Sequence, residues 1–137
     1  MKAQFNICST TVNVSAIYKG DKKADWEGVP QNWHNHRVTV STEHGKCSFE
    51  FWMSLAKPKM DGESDLLGAL SCFVSDAMSG KDSFQDFCSE LGYDSDSRKA
   101  YKIFKACEKA YAKFERIIGD IDPYDFHNAV IELEDNR

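Results

Sequence analysis

The segment that decides the fold is SRKAYKIFKACEKAYAKFERII, which covers residues 97–118. Its apolar residues recur at intervals of three and four, so at ~100° per residue they fill one side of a helix. Six of its seven basic residues occupy a sector of roughly 80° on the opposite side, and they are Arg98, Lys102, Lys105, Lys109, Lys113 and Arg116. This pattern predicts an amphipathic helix that buries its apolar side and ends at Gly119.

Two further helices are predicted before this one in the chain, and one is predicted after it. Residues 66–77 repeat the same apolar spacing after a run of acidic residues, which suits a helix N-terminus. Ser83 suits the N-cap of a shorter helix that ends at Gly92. Pro123 suits the first turn of a last helix, because its missing N–H is not needed there.

The N-terminal half has the two-residue period of strands. Apolar residues alternate with polar ones at odd-numbered positions over 5–7 and at even-numbered positions over 12–18. This change requires a turn or a bulge within 8–11. The clearest predicted hairpin joins 36–42 to 47–55, with a glycine of positive φ, Gly45, in the connection.

Residues 20–35 are predicted to form a long loop, because Gly20, Gly28 and Pro30 interrupt the stretch and no period survives. With 137 residues, the chain is long enough for one core. We therefore predict a single α+β domain over 1–137, with a strand-rich half (1–58) and a helical half (61–134). An antiparallel sheet of two to four strands would pack one face on three or four helices.

The net charge of −5 is unevenly distributed along the chain. Residues 1–60 carry +3, and residues 61–96 carry −8, with nine acidic residues against Lys81 alone. Residues 97–119 carry +5, and residues 120–137 carry −5. Segregated charge of this kind influences partners and association rates rather than the fold.

The nine acidic residues of 61–96 are candidate partner-binding residues. If they formed one continuous patch that no basic residue neutralised, the patch would imitate the phosphates of a nucleic acid. It would then bind in the basic nucleic-acid channel of another protein. Helix capping and a solvated helix surface are the simpler explanations. Trp26 and Trp33 are candidate interface anchors if exposed, or else cover the sheet. The carboxylates are Asp61, Glu63, Asp65, Asp76, Asp82, Asp86, Glu90, Asp94 and Asp96.

The basic side of 97–118 supports an alternative function, in which six side chains bind the phosphates of a nucleic acid directly. Lys and Arg are also strong helix formers, so the same side could be a solvated surface or could pair with the acidic segment. Only Tyr101 lies near enough to this side to stack on a base.

Other chemistries have little support. His34, His36, His44 and Cys47 lack the spacing of a closed zinc site, so no metal or cofactor is expected. Phosphate-loop, nucleophile-elbow and zinc-protease motifs are absent from the sequence, and we expect a binding protein rather than an enzyme. The five cysteines are expected to be reduced, in a cytoplasm, and Cys72 and Cys107 to be buried in helices. No stretch predicts a membrane span.

Three stretches carry a resemblance to a known group: residues 65–77, SFQDFC at 83–88 and GYDSDSRKA at 92–100. The pattern F-x-D-F/W-C followed by G-Y-D-x-D-S-R-K-A resembles small acidic proteins encoded by bacteriophages and prophages, mostly without assigned function. The resemblance extends over about residues 49–118. Small phage proteins include anti-CRISPR inhibitors, several of which act as acidic DNA mimics. The resemblance thus implies a non-enzymatic inhibitor that acts in the host cytoplasm on a defence effector of the CRISPR-Cas type.

Overall fold

Four antiparallel strands in chain order form the N-terminal half of the computed structural model. The structure describes residues 1–26, 29–55 and 60–136, with the backbone alone over 22–26 and 29–32. The strands are β1 (Lys2–Ile7), β2 (Thr10–Trp26), β3 (Val29–Thr42) and β4 (Gly45–Ser54).

A two-residue turn joins β1 to β2. Cys8 and Ser9 both have positive φ, 52° and 60°, which is the geometry of a hairpin turn of the type I′ class. The turn brings Ile7 opposite Thr10. It confirms the expected turn within 8–11 and explains why the apolar residues change parity there.

The prediction of a loop over 20–35 was wrong. β2 and β3 remain paired as far as Trp26 opposite Val29, with one register shift between Tyr18 and Gly20. β4 accompanies this hairpin only as far as Ser54, which lies opposite Trp33. Beyond that pair, the described part of the ladder has two strands, β2 and β3. Alternation of polar and apolar residues indicates that one face of a strand is buried, so a strand without this alternation is not recognised from the sequence.

The connection between β3 and β4 is also a two-residue turn, at Glu43 and His44, because Thr42 lies opposite Gly45. Gly45 is not among the glycines of positive φ, so the expected reason for this glycine was wrong. A Cβ atom at position 45 would lie 2.5 Å from the carbonyl oxygen of Arg116. The glycine therefore permits close approach to the end of the long helix.

The four helices begin and end close to the predicted residues. Their bounds are α1 (Glu63–Ser79), α2 (Phe84–Leu91), α3 (Arg98–Ile118) and α4 (Pro123–Asp135). Ser97 accepts a hydrogen bond from the amide of Ala100 and caps α3, and Asp122 accepts bonds from the amides of Tyr124 and Asp125 to cap α4.

The helices cover one face of the sheet. α1 contacts β1 and β2, α3 contacts β3 and β4, and α4 lies beside β1. The core between the layers includes Val14 and Val38 of the sheet with Leu70, Phe73 and Phe114 of the helices. The predicted α+β fold, a sheet packed on helices, is thus confirmed.

The five cysteines are free thiols. Cys107 is buried as expected, whereas Cys72 is exposed, which corrects its expected burial. The reason is its position on α1, where Cys72 lies beside the buried stripe that contains Phe73 and Val74. In the described part of the chain, no helix has the length and hydropathy needed to span a membrane.

Candidate protein-binding surface

The nine predicted carboxylates do not form one continuous patch. Asp61, Glu63 and Asp65 lie at the start of α1, where the carboxylate of Asp65 accepts a hydrogen bond from the amide of Asp61. α1 has 17 residues, so its two ends are about 25 Å apart. These three residues are therefore remote from the acidic residues that follow Ser79, which is the last residue of α1.

Asp76 occupies a separate position, in a cavity of about 250 Å³ between α1, α3 and β4. Phe49 and Phe73 stack in its wall with ring centroids 4.4 Å apart. Lys109 and Lys113 line the same cavity. Asp76 is exposed overall, and partial burial against the cavity raises the pKa of its carboxyl group.

The remaining five carboxylates lie on one short segment, residues 82–96, which we call the acidic surface. All five residues are exposed. The segment contains the eight residues of α2 and the loop that leads into α3. The acidic surface consists of Asp82, Asp86, Glu90, Asp94 and Asp96.

Local hydrogen bonds fix the two ends of this segment. The hydroxyl of Ser83 accepts a bond of 3.2 Å from the amide of Asp86 and donates one of 3.0 Å to its carboxylate. Asp94 accepts a bond of 3.0 Å from the amide of Asp96. Gly92, in the left-handed conformation with φ of 75°, ends α2 between them.

A small hydrophobic cluster holds the acidic surface against α3. Phe87 and Cys88 on the inner side of α2 pack with Ala100, Phe104 and Cys107 of α3. The cluster is separate from the main core. Because these apolar side chains occupy the inner side of α2, the carboxylates of Asp86 and Glu90 are left on its outer side.

Described basic side chains do not neutralise the acidic surface. In the part of the chain that the structure describes, none of its five carboxylates lies within 4.0 Å of a lysine, arginine or histidine nitrogen. Lys81, the only base of residues 61–96, places its Nζ 3.9 Å from the ring centroid of Tyr124 instead. Pairing of these carboxylates with the basic helix, which the sequence left open, therefore does not occur among the described residues.

Two residues of α4, which the sequence did not single out, border the acidic surface. Tyr124 and His127 line a shallow cleft together with Asp82 and Glu90. The cleft has a volume of about 340 Å³. No local pattern could have indicated these two residues, because α4 packs on α1 and its place beside Asp82 and Glu90 depends on the tertiary structure.

The basic side of α3 lies where it was predicted, and five of its six members are exposed: Arg98, Lys102, Lys105, Lys109 and Arg116. Lys113 is half-buried and donates a hydrogen bond of 2.9 Å to the carbonyl of Ser48 in β4. Lys105 lies 2.8 Å from the carboxylate of Glu108. Tyr101 is 48% exposed, and the Nζ of Lys105 lies 5.7 Å from its ring centroid.

The two candidate tryptophans belong to the long hairpin of β2 and β3 and not to the segment that carries the acidic surface. Trp33 is half-buried on β3, and its indole Nε1 has no hydrogen-bond partner among the described residues. Trp26 ends β2, and its side chain is outside the described part of the structure.

Among the described residues, no group of three or more His, Cys, Asp or Glu side chains is arranged to hold a metal ion. His44 belongs to the turn between β3 and β4 and faces Gly119 at the end of α3. Comparison of the chain with protein-family models, with curated proteins and with solved structures finds no match.

Proposed function

We propose that this protein is an inhibitor that binds a nucleic-acid-binding protein through its acidic surface and blocks access of the nucleic acid. The observation that supports this function best is the exposure of five carboxylates on residues 82–96 with no ion pair to the described residues. An unpaired acidic surface attracts basic clefts over a long range and accelerates association with them.

The sign and the clustering of charge on the acidic surface support mimicry of a nucleic acid. α2 has eight residues and is about 12 Å long. Over that length, duplex DNA carries about seven phosphates. Two of the five carboxylates, Asp86 and Glu90, lie on α2 and the other three flank it, so the acidic surface presents a row of charges of the same sign as DNA, at lower density.

The class of target is suggested by the resemblance to small acidic phage proteins. On that basis we propose that the partner is an effector of a bacterial defence complex, of the CRISPR-Cas type, and that the protein acts in the cytoplasm of the host. The motifs that carry the resemblance include Asp86, Asp94 and Asp96, which belong to the acidic surface. No catalytic step is involved in this function.

The test compares wild type with the triple variant Asp82→Asn, Asp86→Asn and Glu90→Gln. The matched control is Glu115→Gln, Glu132→Gln and Glu134→Gln, which removes the same charge from exposed residues on α3 and α4. Each protein is expressed in a host that carries an active CRISPR-Cas system, and phage plating efficiency is measured. Thermal denaturation verifies that all three proteins are folded.

Wild type and the control are expected to raise plating efficiency, and the triple variant is expected to lose this effect. Equal inhibition by a folded triple variant would exclude the acidic surface as the binding site. In parallel, effectors captured from the host lysate are tested for binding to nucleic acid.

A second candidate function, direct binding of a nucleic acid by the basic side of α3, is favoured by Tyr101. Its exposed ring lies beside Lys105 and offers a stacking surface among phosphate-binding residues. Binding of plain duplex DNA and of RNA, measured against salt concentration, separates the two functions. The inhibitor function predicts no binding, whereas the second predicts binding that is lost in the variant Lys102→Gln and Lys109→Gln.

A further inference from the structure

The face of the sheet that the helices leave uncovered carries a polar groove. Ile17 on this face is 65% exposed, and Arg37 and Glu50 are exposed beside it, which identifies it as the solvent side. The groove has a volume of about 290 Å³. Its open-face side chains are Lys2, Asn13, Ser15, Thr39, Ser41 and Lys46.

Two cross-strand rows, which run over all four strands, build the groove. The first row, in register from β1 to β4, is Lys2, Ser15, Thr39 and Ser48. The second row is Gln4, Asn13, Ser41 and Lys46. Directly opposite side chains on one face of an antiparallel sheet are about 4.5–5.5 Å apart. The hydroxyl and amide groups of β2 and β3 therefore lie between a lysine on each edge strand.

Hydrogen bonds within the rows leave donors available to the groove. The side-chain amide of Gln4 donates a bond of 2.9 Å to the Oδ1 of Asn13. The amide nitrogen of Asn13 is a donor, and it is the group of this side chain that can bind an anionic ligand. The hydroxyls of Thr39 and Ser48 lie 2.9 Å apart and form one bond between them.

The groove is positively charged. No carboxylate is among the described residues that line it. Lys2 and Lys46 form no ion pair within the described part of the chain. The nearest acidic residue along β4, Glu50, lies in register with Arg37 on the same face. Two ammonium groups therefore face the groove without a compensating charge.

We infer that this groove binds the phosphate monoester group of a small ligand. A phosphate monoester carries about −1.5 to −2 charges at neutral pH and offers three acceptor oxygens. Two lysines match that charge, and the hydroxyls of Ser15 and Ser41 with the amide of Asn13 donate to the oxygens. A diester carries one negative charge and would leave one lysine uncompensated. This site is independent of the acidic surface, which lies on the helical side of the molecule.

The inference is tested by following backbone amide NMR signals during titration with inorganic phosphate and, separately, with AMP. Two variants address the groove: Lys2→Gln with Lys46→Gln, and Ser15→Ala with Ser41→Ala, which keeps both lysines. The control, Lys81→Gln with Lys99→Gln, removes the same charge from the helical side of the molecule, outside the groove. A short oligothymidylate without terminal phosphates provides a ligand that contains only diesters.

The amide chemical shifts of residues 13–15 and 39–41 are expected to change and to reach a plateau during titration with phosphate and with AMP. The lysine variant is expected to weaken AMP binding at least about tenfold, the serine variant a few-fold, and the control not at all. Absence of shifts in the groove, or equal weakening by the control, would overturn the inference. Oligothymidylate binding in the groove as tight as AMP binding would also overturn it, because a diester would then be the preferred ligand.

Discussion

Gly80, at the end of α1, lies directly against the main chain of Cys107 in the middle of α3. A Cβ atom at position 80 would overlap the carbonyl group of Cys107 and the amide nitrogen of Glu108. The φ of Gly80 is −92°, which other residues also adopt, so the glycine is required for space. The crossing of α1 and α3, on which α2 and the acidic surface depend, therefore requires a residue without a side chain at this position.

The variant Gly80→Ala is expected to lower the free energy of unfolding by about 1–3 kcal/mol, because main-chain atoms cannot move aside as a flexible side chain can. Urea denaturation measures the change. Gly68→Ala is the matched control in the same helix, since a Cβ atom there meets nothing within 4 Å. That control is expected to stabilise the protein by about 0.4–1 kcal/mol. Destabilisation of similar size in both variants would contradict the close contact.

Asp76 is expected to make the protein less stable as the pH rises. Burial raises its pKa in the folded state above the ordinary value of 3.8, so the folded protein holds this proton more tightly than the unfolded chain. Stability from this group is therefore full below the unfolded pKa and decreases as the pH rises through the folded pKa.

The variant Asp76→Asn is accordingly expected to have a higher Tm than wild type at pH 7, with the difference disappearing in acid. Thermal denaturation at a series of pH values measures both effects. A lower Tm of the variant at pH 7 would show that Lys109 and Lys113 stabilise the carboxylate by more than its burial costs.

Cys47 is expected to react with alkylating reagents far more slowly than Cys8. Burial raises the pKa of the Cys47 thiol to about 11, although Lys113 and Arg116 lower it in part. At pH 8 about one thiol in a thousand is then the reactive thiolate. Cys8 is exposed in the turn between β1 and β2. Mass spectrometry of peptides after alkylation of the native protein measures both rates, and labelling of both at the same rate would contradict the burial of Cys47.

The elements of the fold that the sequence predicted are those whose signals are local. Ser83, Ser97 and Asp122 are side-chain caps that act on the helix they precede, so they indicate helix starts without knowledge of the tertiary structure. The hairpin beyond Tyr18 gave no such signal. Its strands extend past both edge strands, and the alternation from which a strand is predicted reflects a buried face rather than strand pairing itself.

The candidate site was predicted in part for a related reason. Counting carboxylates along 61–96 identified the acidic surface but also included Asp61 and Asp76, which the length and packing of α1 place elsewhere. The polar groove on the open face of the sheet was not predicted, because the polar residues that line it lie on four different strands. Their juxtaposition depends on the strand order and register, and neither can be obtained from alternation alone.

The most direct measurement for the proposed function is displacement of a labelled nucleic acid from a captured effector, followed by fluorescence anisotropy. Wild type and the control with substitutions at Glu115, Glu132 and Glu134 are expected to displace it, with potency that decreases as salt increases. The variant with substitutions at Asp82, Asp86 and Glu90 is expected to be at least about tenfold weaker. Displacement by that variant at the potency of wild type would contradict the account, as would an effector that binds this protein and its nucleic acid together.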